Sequence, residues 1–286
     1  MHNNHSDMFS EQKKFNFNNM KFLVLITMTL ISGQNFGQSH KKTEIINING
    51  INMYFEVHGE GEPLFLLHGW TQSSQFWSEY IPTYAQHFKV YAIDLRGHGK
   101  SSELTDDFSI EKTASDILKL LDFLKIEKAK AVGLSYGGLT LLKLASLHPE
   151  RIESMVLIGV APIYDGKENT NLDKTFSYEN LPDSFIKELK ETHYGGESQI
   201  KRLFDQNLNY RISIGDETLK SIKTKVLIVN GDRDEIMGID PAITLHKFLP
   251  NSELWIVPNT GHIAITGSNR YVFLTKSTQF LQNGER

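Results

Sequence analysis

The sequence predicts an α/β fold, with a mostly parallel central sheet and helices on both faces. Three observations predict it. Short, continuous apolar runs recur along the chain and alternate with stretches of helical periodicity. The runs lack the polar alternation of a half-exposed strand, as expected of strands covered on both sides. An Asn-Gly hairpin signal precedes them.

In order, the folded part begins near Thr43. EIINING and INMYFEVHG flank Asn49-Gly50, a pair that favours a tight hairpin turn. The buried strands are then PLFLLHG (63–69), VYAID (90–94), AKAVGLS (129–135), SMVLIGVAP (154–162), KVLIVNG (225–231) and ELWIVPN (253–259). Between them, Ile110, Ala114, Ile117, Leu118, Leu121 and Leu124 follow helical spacing, with Ser109 as a cap. LTLLKLASLH (139–148) is apolar nearly all round and predicts a buried helix ending at His148. Asp240-Pro241 reads as N-cap and first helical residue of another. Residues 163–222 break the alternation. They contain no convincing strand; Phe185, Ile186 and Leu189 fit one helix, and Ile200, Leu203, Phe204 and Leu208 fit a second. This stretch predicts a helical insertion lying over the sheet.

The 286 residues suffice for one large domain, and the net charge of −4 without a basic stripe does not suggest a nucleic-acid partner. The chain has no cysteine, which excludes disulfides, thiolate chemistry and cysteine metal sites. The first residues are different material. Lys13, Lys14 and Lys21 precede FLVLITMTLI (22–31), and a polar tail with Gly33 and Gly37 follows. This predicts a signal peptide over 1–38, a domain over 39–286, and an exported, periplasmic or secreted protein. The alternative is a non-functional leader on a cytoplasmic protein. The apolar run is about half the length of a membrane span, so no stable span is expected in the mature chain.

Polar residues placed just after strands are the ones a parallel sheet presents to a ligand. Four places qualify: His68-Gly69-Trp70, Ser135, Asp232 with Asp234, and His262. Ser135 stands in GLSYGG, which fits G-x-S-x-G, a strained turn that exposes a nucleophile between strand and helix. Read blandly, the serine is a helix N-cap, but a cap needs no flanking glycines. Gly133 and Gly137 leave room for strand and helix to approach. The order serine, acid, histidine is that of a hydrolytic triad, with each member at a strand end. His262 would take and return the proton. His98, in a glycine-rich loop, and His68 read as scaffold. Asp94 and Arg96 read as braces for the loop near the elbow.

LFLLHGW (64–70), DLRGHGKS (94–101), GLSYGG (133–138), HPERIESMVLIG (148–159), NGDRDEI (230–236) and NTGH (259–262) together resemble the α/β-hydrolase fold family, in order and spacing. The resemblance runs from about residue 44 to 282. It implies a serine-nucleophile, esterase-like branch with a helical cap at about 163–222. It implies Asp234 rather than Asp232 as the acid, and the backbone N–H groups of Trp70 and Tyr136 as the oxyanion hole, with Gly69 permitting the close turn. The serine departs from relatives such as epoxide hydrolases, which use aspartate there. The HGW form lacks the HGGG run of some esterases, which argues against bulky tertiary-alcohol esters. The side chains of Trp70 and Tyr136 line an acyl pocket or pack in the core, and Phe185, Phe204 and Tyr210 line the mouth.

The expected activity is hydrolysis of a small carboxylic ester through an acyl-enzyme, with water as the second substrate. No metal and no cofactor are expected. Lactones or a carbon–carbon bond flanked by ketones would suit the same triad. A small-molecule receptor with an intact triad is the alternative of another class.

Overall fold

The computed structural model describes residues 41–165, 177–206 and 210–283. The expected signal peptide lies outside them.

Lys42–Ile48 (β1) and Ile51–His58 (β2) form an antiparallel hairpin. Its turn residues Asn49 and Gly50 have φ of 49° and 76°. Both are left-handed, as a two-residue turn matched to strand twist requires. Glu62–Leu67 (β3), Phe88–Ile93 (β4), Ala129–Leu134 (β5), Ile152–Ile158 (β6), Lys225–Gly231 (β9) and Ser252–Val257 (β10) complete an eight-stranded sheet. The order is β1-β2-β4-β3-β5-β6-β9-β10; β2 pairs antiparallel with β4 as well as with β1, and the six strands from β4 to β10 in that order pair in parallel. The run expected over 154–162 stops at Ile158, because Gly159 turns left-handed at φ 60°.

Alternate strand residues enter two separate cores. Phe65, Leu67, Met155 and Leu157 pack on one face; Leu64, Leu66, Val156 and Ile158 pack on the other. Each fully buried aliphatic side chain contributes about 2 kcal/mol, so neither face tolerates a register slip. The first face carries Ile110–Phe123 (α1), capped by Ser109 Oγ accepting from Lys112 N–H at 3.2 Å, and Tyr136–Leu147 (α2). It also carries Asp240–Phe248 (α6). The second carries the turns over Ser74–Glu79 and Ile81–Tyr84, and Asn269–Gln282 (α7). Asp240 is not the cap of α6: Ile239 holds that position, without a side-chain bond, and Asp240 is the first helical residue.

The insertion contains Asp183–Thr192 (α3), Gly196–Asp205 (α4) and Asp216–Ser221 (α5). Leu189, Ile200, Leu203 and Phe204 are buried as expected, while Leu208 lies outside the described residues. It also contains two strands that the sequence does not predict. Ile163–Asp165 (β7) pairs antiparallel with Arg211–Ser213 (β8), at the base where the chain leaves and rejoins the main sheet. Three residues are too few to show a period of two, so IYD and RIS read as loop. Among the described residues no helix is long and apolar enough to cross a membrane.

Candidate active site

β5 ends in Leu134 and α2 begins at Tyr136, so the chain reverses character within one residue, Ser135. Ser135 has φ 48° and ψ −110° and makes no side-chain bond to the helix end. A non-glycine residue held there costs about 1–3 kcal/mol. A capping serine would be extended and would accept a helix N–H, so the bland reading fails on both counts. The flanking glycines make the turn sterically possible. A Cβ on Gly133 would lie 2.6 Å from Gly138 N, and one on Gly137 would lie 2.3 Å from Leu67 O. The positive end of α2 then points at the serine, favouring negative charge there.

Ser135 N–H donates to Ile158 O at 2.8 Å. The next residue, Gly159, lies under the His262 ring: a Cβ there would sit 2.8 Å from His262 Cε1. Ser135 and His262 therefore flank the same end of β6. His262 Nδ1 bonds Asp234 Oδ2 at 2.9 Å and Oδ1 at 3.0 Å, while its Nε2 is buried without a hydrogen-bond partner. Asp234 Oδ1 also accepts from the N–H groups of Ile236 and Met237, each at 2.9 Å. Burial alone would raise this carboxyl; the imidazole and the two amides outweigh it and hold it below the ordinary carboxylate range. Asp232 is exposed and accepts from Thr260 N–H at 3.2 Å, bracing the His262 loop from outside.

The 68–72 turn is held from several sides. His68 Nε2 accepts from Leu95 N–H at 3.0 Å, so Nδ1 carries the proton that goes to Gly69 O at 2.8 Å. Gly69 N–H donates to Gln72 Oε1 at 3.0 Å. Gly137 N–H donates to His68 O at 3.0 Å, tying this turn to the first turn of α2. Among the described residues no hydrogen bond uses the N–H of Trp70 or of Tyr136. The Tyr136 side chain belongs to the core, with its hydroxyl on Thr113 Oγ1 at 2.7 Å. Asp94 accepts from Ser74 and Lys100 N–H, and Arg96 forks onto buried Asp116 at 2.7 and 2.8 Å.

Three contributors escape a reading of the sequence. Gly159 makes room for the His262 ring; its only signal is its place directly after β6. His193, at the end of α3, accepts from Gly99 N–H at 2.9 Å and donates to Thr71 O at 3.1 Å. Gln199 of α4 donates to Ser101 O at 2.9 Å. These two clasp the insertion to the loops beside the elbow. Of the residues expected at the mouth, Phe204 is buried against Tyr178 and Phe185 is half-buried, whereas Tyr210 packs on Tyr136 at the elbow.

Burial lowers the buried His68 and His193 to about 4, against an ordinary 6.5. Both stay neutral in the fold while the unfolded chain takes up protons below about pH 6.5. Stability is therefore expected to fall as pH drops from about 6.5 towards 4, by about 1.4 kcal/mol per pH unit per histidine. Urea unfolding across that range checks it. His193→Gln keeps one donor and one acceptor, and should remove about one proton's worth of the slope.

Likeness to known proteins agrees with this architecture. A profile of the α/β hydrolase fold matches residues 62–185, from β3 through the elbow into α3. The chain has the α/β-hydrolase fold. It is 35% identical over 115 residues to a soluble epoxide hydrolase of Corynebacterium sp.. That match covers 40% of each chain, so the chain spans well under half of that relative. It is 26% identical over 263 residues to a pimeloyl-[acyl-carrier protein] methyl ester esterase of Nitrosospira multiformis, covering 82% of this chain and 97% of the esterase. Among solved structures, the enol-lactonase of Burkholderia xenovorans superposes with a TM-score of 0.71 at 20% identity, over 84% of this chain and 100% of the lactonase.

Proposed function

We propose that this α/β hydrolase is a serine hydrolase that cleaves a small carboxylic ester. The observation that carries the reading is the strained Ser135 without a capping bond, on the same strand end as a His262–Asp234 couple whose Nε2 is unpartnered. His262 Nε2 takes the Ser135 proton as Oγ attacks the acyl carbon. The carbonyl electron pair moves onto oxygen, where the Trp70 and Tyr136 amides meet it, each worth about 3 kcal/mol in the transition state. His262 then protonates the leaving alcohol. Water, deprotonated by the same imidazole, releases the acid. Asp234 fixes the ring with Nδ1–H inward and stabilises its cationic form. The methyl ester esterase likeness supports an ester as the bond cleaved.

A panel of p-nitrophenyl esters of graded acyl length tests this. Turnover with the shorter acyl groups, absent from Ser135→Ala, is expected. No turnover with any ester, alongside tight binding of one compound, would instead mark a receptor. The acid is separable in the same assay. Asp234→Asn is expected to lower kcat about 10⁴-fold, and Asp232→Asn to change it less than threefold. The reverse ranking would reassign the acid.

A further inference from the structure

Tyr210 arrives from the insertion, two residues from the Ile212 position of β8, and is buried. Its ring packs on the rings of both residues whose amides serve the proposed oxyanion hole: 5.2 Å from Trp70 and 5.7 Å from Tyr136, centre to centre. Tyr164 closes the other side at 5.4 Å. Its hydroxyl and the Ser135 side chain face each other, without closing a hydrogen bond of good geometry. A phenol O–H buried without a well-formed bond is destabilising, and such groups persist where they serve a ligand.

The side on which Tyr210 lies decides which atom it serves. His262 approaches Ser135 over Gly159, at the end of β6. Tyr210 sits against Trp70 and Tyr136 instead. When Oγ bonds to an acyl carbon, the leaving oxygen must turn towards His262 for its proton. The carbonyl oxygen must turn towards Trp70, Tyr136 and therefore Tyr210. We propose that the Tyr210 phenol is a third oxyanion donor, supplied by the insertion, which hydrogen-bonds the carbonyl oxygen as Ser135 adds to it. The proposal rests on the serine-hydrolase reading. The balance is simple: the Oγ–C bond forms, the π pair moves to oxygen, the serine proton goes to His262 Nε2, and the phenol keeps its own proton. Burial pushes this phenol well above its ordinary value, so it remains a donor at every working pH.

Such a donor makes the insertion part of the chemistry as well as a cover. An opening of the insertion would carry the third donor away, so hydrolysis would be fast only in the closed arrangement that His193 and Gln199 clasp.

Tyr210→Phe tests the proposal, because it keeps the ring among Trp70, Tyr136 and Tyr164 and removes only the O–H. For an ester the wild type accepts, kcat is expected to fall about 10²-fold with KM changed less than threefold. A trifluoromethyl ketone that adds to serine should lose affinity by the same factor, while the product carboxylic acid binds as before. The urea midpoint should stay or rise, since the lost hydroxyl had no well-formed bond. Tyr210→Leu, which also lacks the O–H, should show at least the same loss in kcat. A Tyr210→Phe enzyme within threefold of the wild-type kcat would overturn the proposal, as would a loss confined to KM and shared by the product acid. Either result leaves the serine-hydrolase reading standing, provided the wild type turns over ester. An inert wild type would remove both.

Discussion

Ser135→Ala is expected to lower kcat for the best p-nitrophenyl ester by on the order of 10⁵-fold, with the urea midpoint unchanged. The stability half of this expectation comes from the geometry. The Ser135 hydroxyl caps nothing, so its removal strands no helix N–H. Alanine inherits the same left-handed backbone, so strain is neither added nor relieved. The activity half comes from the chemistry: without Oγ there is no acyl-enzyme, and His262 has nothing to deprotonate but water. His262→Ala should cost a similar factor, because a neutral serine hydroxyl is a poor nucleophile. The double variant should be no slower than either single one. What remains in all three is the oxyanion donors acting on bound ester, a floor of about 10³–10⁴ over water in comparable enzymes. If the two losses multiplied instead, Ser135 and His262 would be acting independently and not as one catalytic unit.

Gly137→Ala is expected to destabilise the protein by about 3 kcal/mol or to prevent folding. A Cβ there would lie 2.3 Å from Leu67 O and 2.5 Å from Leu67 C. Those are backbone atoms of β3, a central strand paired on both sides with β4 and β5. Neither partner can yield without breaking its ladder, so the helix must lift away and take the Gly137 N–H bond to His68 O with it. Activity in any folded remainder should fall too, since that bond joins the elbow to the Trp70 turn. Gly138→Ala should cost less, because its tightest obstacle is a side-chain methyl, Val160 Cγ2 at 2.4 Å, and the backbone nearest it, Gly133 O, stands farther off at 2.9 Å. Gly215→Ser is the control: a Cβ there meets nothing within 4 Å, and serine suits the helix-capping position. Urea unfolding of the four proteins checks the ranking. Equal costs at Gly137 and Gly215 would mean that the close approach is not what the glycine supplies.

The sheet was legible because each central strand is buried on both faces, which writes a continuous apolar run into the sequence. PLFLLHG and KVLIVNG need no partner to be recognised. The hairpin was legible because Asn49-Gly50 is demanded by two left-handed residues in succession. The insertion was legible only as helices, because β7 and β8 are three residues each and pair across a long separation in sequence. The elbow was written in its glycines. The choice between Asp232 and Asp234 was not written in spacing; burial and the backbone amides at Ile236 and Met237 separate them. His193 carried no local signal at all, and Tyr210 read only as a mouth residue, not as one packed on Trp70 and Tyr136. Their positions follow from the path of the insertion, which periodicity does not encode.

Ester hydrolysis at this site requires Ser135 Oγ to become a nucleophile through His262. Incubation with a fluorophosphonate, followed by mass mapping of the modified peptide, tests this most directly. One adduct per chain, on Ser135, slowed at least 10³-fold in His262→Ala, is the predicted result. An adduct on another residue, or no adduct in a preparation that hydrolyses esters, would contradict it.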